Sequence, residues 1–152
     1  MSFVRRKVKN EDIEGGISFD KLASNTIYIR VLGLQLESKS GLAADSTGVK
    51  ASSPVFKVSG KHLKALVLRA SITSIPSDAV VRVKVYNVSA GADVGYVEFS
   101  GATGEDEVTI TSGLPSDGDL IRIDVEVTTA SGTAGATFDL GYATLMIDYG
   151  VS

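Results

Sequence analysis

The chain has 152 residues, 43% of them hydrophobic, and a formal charge of -3; this is one domain's length, in which folding buries roughly 70% of the unfolded chain's surface. With no long apolar run and no cysteine, it excludes a transmembrane helix, whole-chain disorder, a disulfide framework, a thiolate metal site and a cysteine nucleophile. The small net charge supplies no general attraction to nucleic acid or to an anionic membrane.

The first ten residues carry Arg5, Arg6, Lys7 and Lys9 and no acid, whereas residues 11–20 carry Glu11, Asp12, Glu14 and Asp20 and no base. The amino-terminal segment is thus an electrical dipole ahead of a nearly neutral body. Four cations are few for a nucleic-acid arm, and contact with the acidic stretch of another subunit accounts for both halves. Residues 1–24 hold no apolar segment of signal-peptide length, so the expectation is either a protein made inside a cell, as a virion protein is, or one whose signal has been removed. Asparagine occurs only at 10, 25 and 87 and glutamine only at 35, a scarcity of thermolabile amides expected of a hot habitat.

From Thr26 onward the apolar period is two. In "LIRIDVEV" Ile121, Ile123, Val125 and Val127 share one face while Arg122, Asp124 and Glu126 share the other; in "VVRVKVYNV" Val81, Val83 and Val85 oppose Arg82, Lys84 and Tyr86. That is the pattern of half-buried antiparallel strands. Alternation between turn signals predicts eight strands, at 26–37, 54–58, 63–73, 80–88, 94–100, 106–112, 119–129 and 137–149, with no helix. In the first, the apolar set changes phase near Gly33, from Ile27, Ile29 and Val31 to Leu32, Leu34 and Leu36, which predicts a bulge or a strand bending between sheets.

An internal near-repeat supports a layered architecture. "ITSIPSDAVVRVKV" and "ITSGLPSDGDLIRIDV" share Ile-Thr-Ser, then Pro-Ser-Asp, then an alternating strand, and each is followed by a Gly-Tyr pair, Gly95-Tyr96 and Gly141-Tyr142. Eight strands with a duplicated unit predict an all-β, eight-stranded antiparallel β-sandwich, a jelly roll or a Greek-key sandwich of another topology. The domain reading is an extended amino-terminal arm over residues 1–25 and one sandwich over 26–152.

Catalytic chemistry finds little to stand on. The single histidine, His62, sits in the turn "SGKHLKAL" with no nucleophile elbow or metal-pair spacing beside it. Acidic candidates for calcium are Glu105, Asp106 and Glu107 in one loop and Asp117 with Asp119 in another; the simpler reading is solvated turn chemistry. The reading is therefore no enzyme and no cofactor, with calcium the one ion the loops invite. By alternation Tyr28, Tyr86, Tyr96 and Tyr142 point away from the core, as a glycan-stacking surface or a subunit contact would require.

The stretch "NEDIEGGISFDKLASN" resembles a short segment that recurs in tail fibres and other appendage proteins of viruses, just ahead of a β-rich domain. The match rests on Ile13, Gly15, Gly16, Ile17, Phe19, Lys21, Leu22 and Ala23. The resemblance implies an oligomeric appendage or virion component and nothing catalytic. The residues lead the same way: Phe3, Val4, Ile13, Ile17, Phe19 and Leu22 cannot be buried by a segment broken at Gly15-Gly16, so the arm must lie on its own sandwich or on a neighbour's, where strand addition to a sheet edge is available.

The sequence therefore predicts a non-enzymatic structural protein that self-assembles into a virion component, appendage or extracellular filament, with itself as partner. The alternative is a carbohydrate- or receptor-binding sandwich that recognises surface glycans. Either role places it in a virion or at a cell surface, with no membrane span.

Overall fold

A computed structural model describes residues 28–150; the arm residues Phe3, Val4, Ile13, Ile17, Phe19 and Leu22 and the basic cluster lie outside them. Ten strands follow in chain order: β1 (Tyr28–Leu36), β2 (Lys39–Ala43), β3 (Gly48–Ser52), β4 (Phe56–Lys57), β5 (Leu63–Ser74), β6 (Val80–Asn87), β7 (Ala92–Ser100), β8 (Gly104–Ile110), β9 (Leu120–Thr129) and β10 (Thr137–Gly150). All pairings are antiparallel. Sheet 1 runs β1-β10-β5-β8 with β2 also on β10, and sheet 2 runs β3-β9-β6-β7 with β4 also on β9.

The extra strands do not widen the sheets. β1 pairs with the second half of β10 and β2 with its first residues; β3 and β4 divide β9 in the same way. Each sheet is therefore four strands wide, and the order is that of an eight-strand jelly roll whose first two strands are each split. Alternation predicts neither β2 nor β3, because "KSGLA" and "GVKAS" carry the Ser, Gly and Lys of loops. Pairing with a long central strand overrides that weak propensity.

Period two puts one face of each sheet into a common core. Leu66, Leu68, Ile72, Leu145, Ile147 and Phe138 from sheet 1 meet Val81, Val83, Val85, Ile121, Ile123 and Val125 from sheet 2, all at 0 or 1% exposure. Each such side chain contributes about 1.5–3 kcal/mol over leaving it in water. The phase change in β1 is a bulge between Leu32 and Leu34. Gly33 is required there because a Cβ would stand 2.5 Å from Ile147 Cδ1.

The sequence repeat has a spatial counterpart. β5 pairs with β8 in sheet 1 and β6 with β9 in sheet 2, so the two Pro-Ser-Asp corners join the same pair of sheets side by side. Each corner aspartate clasps a neighbouring loop: Gly132 N–H donates to Asp78 Oδ2 and Gly60 N–H to Asp117 Oδ1, both at 2.9 Å. The third strands differ, since β7 stays beside β6 whereas β10 crosses to sheet 1.

Candidate functional site

Among the described residues, sheet 1 ends on β1 at one side and on β8 at the other, and the two edges are chemically unlike. Opposite Tyr149 and Ile147, the residues Ile29 and Val31 belong to the inner face of the sheet, yet they are 54% and 39% exposed. Leu32, on the outer face opposite Met146, is 53% exposed. The apolar pattern of β1 thus continues where the second sheet no longer covers it. Its one charge is neutralised: Arg30 donates from Nε and Nη2 to the two Asp148 oxygens at 2.6 and 2.8 Å, and the hydrogen bond to Asp148 raises the guanidinium pKa above its usual range.

On β8, Glu105, Asp106 and Glu107 are consecutive and exposed. Asp106 and Glu107 fall in the strand that alternation predicts from 106, and Glu105, read with them as a loop, belongs to it too, because each pairs across to β5: Ser71, Ala70 and Arg69 in turn. Strand geometry sends Glu105 and Glu107 to the outer face and Asp106 to the inner, where its neighbour Ala70 is fully buried. An inward-pointing charge on an outer strand is a device that blocks further pairing. Tyr142 OH donates to Glu105 Oε2 at 2.6 Å, and that hydrogen bond, with burial second, pushes the phenol's pKa up. The depressions beside this edge, about 200 Å³ next to Glu98, Thr103 and Glu105 and about 230 Å³ next to Arg69 and Glu107, are smaller than the pockets of about 300–1,000 Å³ that hold small ligands.

The outer face of sheet 2 is a closed polar layer. Lys84 donates to Glu126 Oε1 at 2.7 Å and pairs with Asp93 Oδ1 at 3.0 Å; burial opposes its charge, but the bonds to Glu126 and Asp93 outweigh it and raise the pKa. Asp124, with a side chain only 2% exposed, accepts from Arg122 Nε at 2.8 Å and Ser52 Oγ at 2.6 Å. Arg82 binds Glu98 at 2.8 Å and lies 4.1 Å from the Tyr96 ring centre, and Arg122 lies 5.1 Å from that of Tyr86. Each of these charges has a partner, which suits a rigid surface better than a reactive one.

The residues singled out from sequence do not converge. Tyr86 and Tyr96 share the outer face of sheet 2, Tyr142 lies on sheet 1, and Tyr28 begins β1. Asp117 is occupied by Gly60, and Asp119 accepts from Asn87 Nδ2 and Ser116 N–H, both at 2.9 Å. Those two bonds, Asn87 first, hold the Asp119 carboxyl below the usual carboxylate range. Among the described residues no group of three or more His, Asp or Glu could hold a metal ion. His62 is exposed in a turn at φ 62°. What alternation misses is the exposed strip of β1, since an apolar residue on an uncovered edge reads in sequence like one in the core.

No family model matches the chain, and no curated protein matches it. Among solved structures it is similar to the VP2 protein of infectious bursal disease virus in T=1 particles, with 15% identity, TM-score 0.45 and coverage of 84% of this chain and 33% of that one. It is also similar to the appendage pilin of Bacillus endospores, with 16% identity, TM-score 0.37 and coverage of 85% and 95%. A third similarity is to the CBM36-1 domain of a multidomain xylanase from the hindgut metagenome of Trinervitermes trinervoides, with 14% identity, TM-score 0.40 and coverage of 80% and 96%. The chain spans about a third of the length of the VP2 chains.

Proposed function

We propose that this chain is a non-enzymatic structural subunit that assembles with copies of itself into a virion component, appendage or extracellular filament. The observation that carries this reading is the asymmetry of sheet 1: β8 is guarded by three consecutive acids, whereas β1 leaves Ile29, Val31 and Leu32 in water. An undefended apolar edge strand is a liability in a monomer and a docking element in an assembly. The amino-terminal segment, residues 1–25, supplies the second contact that a growing assembly needs.

A glycan-binding role for Tyr86 and Tyr96 is less well supported, because an arginine already lies over each ring. The experiment is electron microscopy with light scattering on the full-length chain and on a chain lacking residues 1–24. The structural reading expects regular rings, shells or filaments from the full-length chain alone. Assemblies that persist without residues 1–24 would remove the role of the arm.

A further inference from the structure

The self-assembly reading leaves open which surface meets which. Resting on that reading, we propose that β1 pairs with β1 of a second copy, antiparallel about a two-fold axis, so that two copies of sheet 1 become one sheet eight strands wide with β8 at both ends. Four observations select this occupant. β1 has nine residues with, among the described residues, no strand on its far side, and exposes apolar groups on both faces, Ile29 and Val31 inward and Leu32 outward. Pairing β1 to β8 of a neighbour would set Glu105, Asp106 and Glu107 beside those apolar groups and strip water from three charges that no residue of β1 is placed to neutralise, its Arg30 being held by Asp148. The β2 half of the same edge is interrupted by a register shift between Phe138 and Leu140 and is polar, with Lys39 and Ser40. The corresponding edge of sheet 2 is built of strands of only five and two residues.

Charge then selects the register. A two-fold axis normal to the sheet keeps both inner faces on one side, so inward residues must oppose inward ones. Placing Arg30 opposite Arg30 of the partner subunit sets like charges against each other, which destabilises a cross-strand pair. Placing Val31 opposite Val31 of the partner subunit sets Arg30 across from the partner's Leu32 and leaves each guanidinium on its own Asp148. The contact is isologous and closes on itself. Growth beyond two copies then falls to a different element.

Because the chain has no cysteine, one introduced thiol gives a clean test. Directly opposed antiparallel residues lie about 4.5–5.5 Å apart at Cα, within disulfide range. The full-length V31C variant should oxidise to a covalent dimer, while V49C, on β3 and 47% exposed, should stay monomeric over the same time. Ile29→Lys in the full-length chain should weaken dimerisation at least about tenfold. If the chain assembles but V31C links no faster than V49C, the β1 pairing is wrong and self-assembly survives through another surface. A full-length chain that is monomeric at every concentration overturns both.

Discussion

The β1 and β8 edges of sheet 1 have similar lengths, nine and seven residues, and both flank the same pair of central strands, β10 and β5. One presents aliphatic side chains on both faces and a single arginine tied to Asp148; the other presents carboxylates on both faces. Backbone pairing capacity is the same on each, since every outer strand carries unpaired donors and acceptors. What differs is the desolvation cost of using it. Among the described residues, sheet 1 therefore has one edge, β1, whose burial removes apolar surface from water and one, β8, whose burial strips three charges of hydration.

The most destructive way to break this contrast is to remove the core on which both edges rest. Leu145→Ala, at a fully buried position opposite Leu34 of β1 and Leu68 of β5, should cost about 2–5 kcal/mol of stability in chemical denaturation; a loss under about 1 kcal/mol would contradict the shared core. Gly101→Ala comes next. It forces a side chain onto a backbone at φ 67° and into the Ser77 carbonyl, and should destabilise by about 1–3 kcal/mol while loosening the turn that leads into β8.

Substitutions at the edges should separate folding from association. Ile29→Lys with Leu32→Lys should leave stability within about 0.5 kcal/mol and abolish assembly by light scattering; assembly unchanged would reassign the interface. The reverse experiment sharpens the contrast: Glu105→Gln, Asp106→Asn and Glu107→Gln together should open the guarded edge and produce concentration-dependent growth beyond the wild-type assembly size. If size and solubility stay unchanged, those acids do not guard the edge.

The smallest effects follow from titration. The bond to Glu105 raises the pKa of Tyr142 in the folded state, so its stabilisation is complete below about pH 10, the unfolded value, and is lost as pH rises through the folded one. An ultraviolet titration should show one late-ionising phenol that is absent in Tyr142→Phe. Asp119 runs oppositely. Its folded pKa is depressed by Asn87 and Ser116, so its contribution is present above about pH 4 and disappears as pH falls through the folded value. Asp119→Asn should flatten the acid limb of a stability profile, and an unaltered limb would show that the carboxylate does not couple to folding.

Much of the sandwich is legible in the sequence because "VVRVKVYNV" and "LIRIDVEV" alternate cleanly and their outward charges complement each other, as Lys84 with Glu126 shows. The bulge is legible as a change of phase at Gly33. β2 and β3 are not, since a short outer strand takes its conformation from its neighbour and carries no apolar period of its own. Nor is the exposed strip of β1: Ile29, Val31 and Leu32 look like core residues until the topology leaves β1 at the end of its sheet. The loop aspartates were visible, but their partners, Gly60 for Asp117 and Gly132 for Asp78, lie 57 and 54 residues away. Only folding brings such pairs together.

The most direct measurement is the mass of the full-length chain in solution by light scattering across a wide concentration range, with electron microscopy of the same samples. Self-association through an open β1 edge predicts a species at twice the 15.9 kDa subunit mass and regular larger assemblies as concentration rises. A constant 15.9 kDa throughout would contradict it.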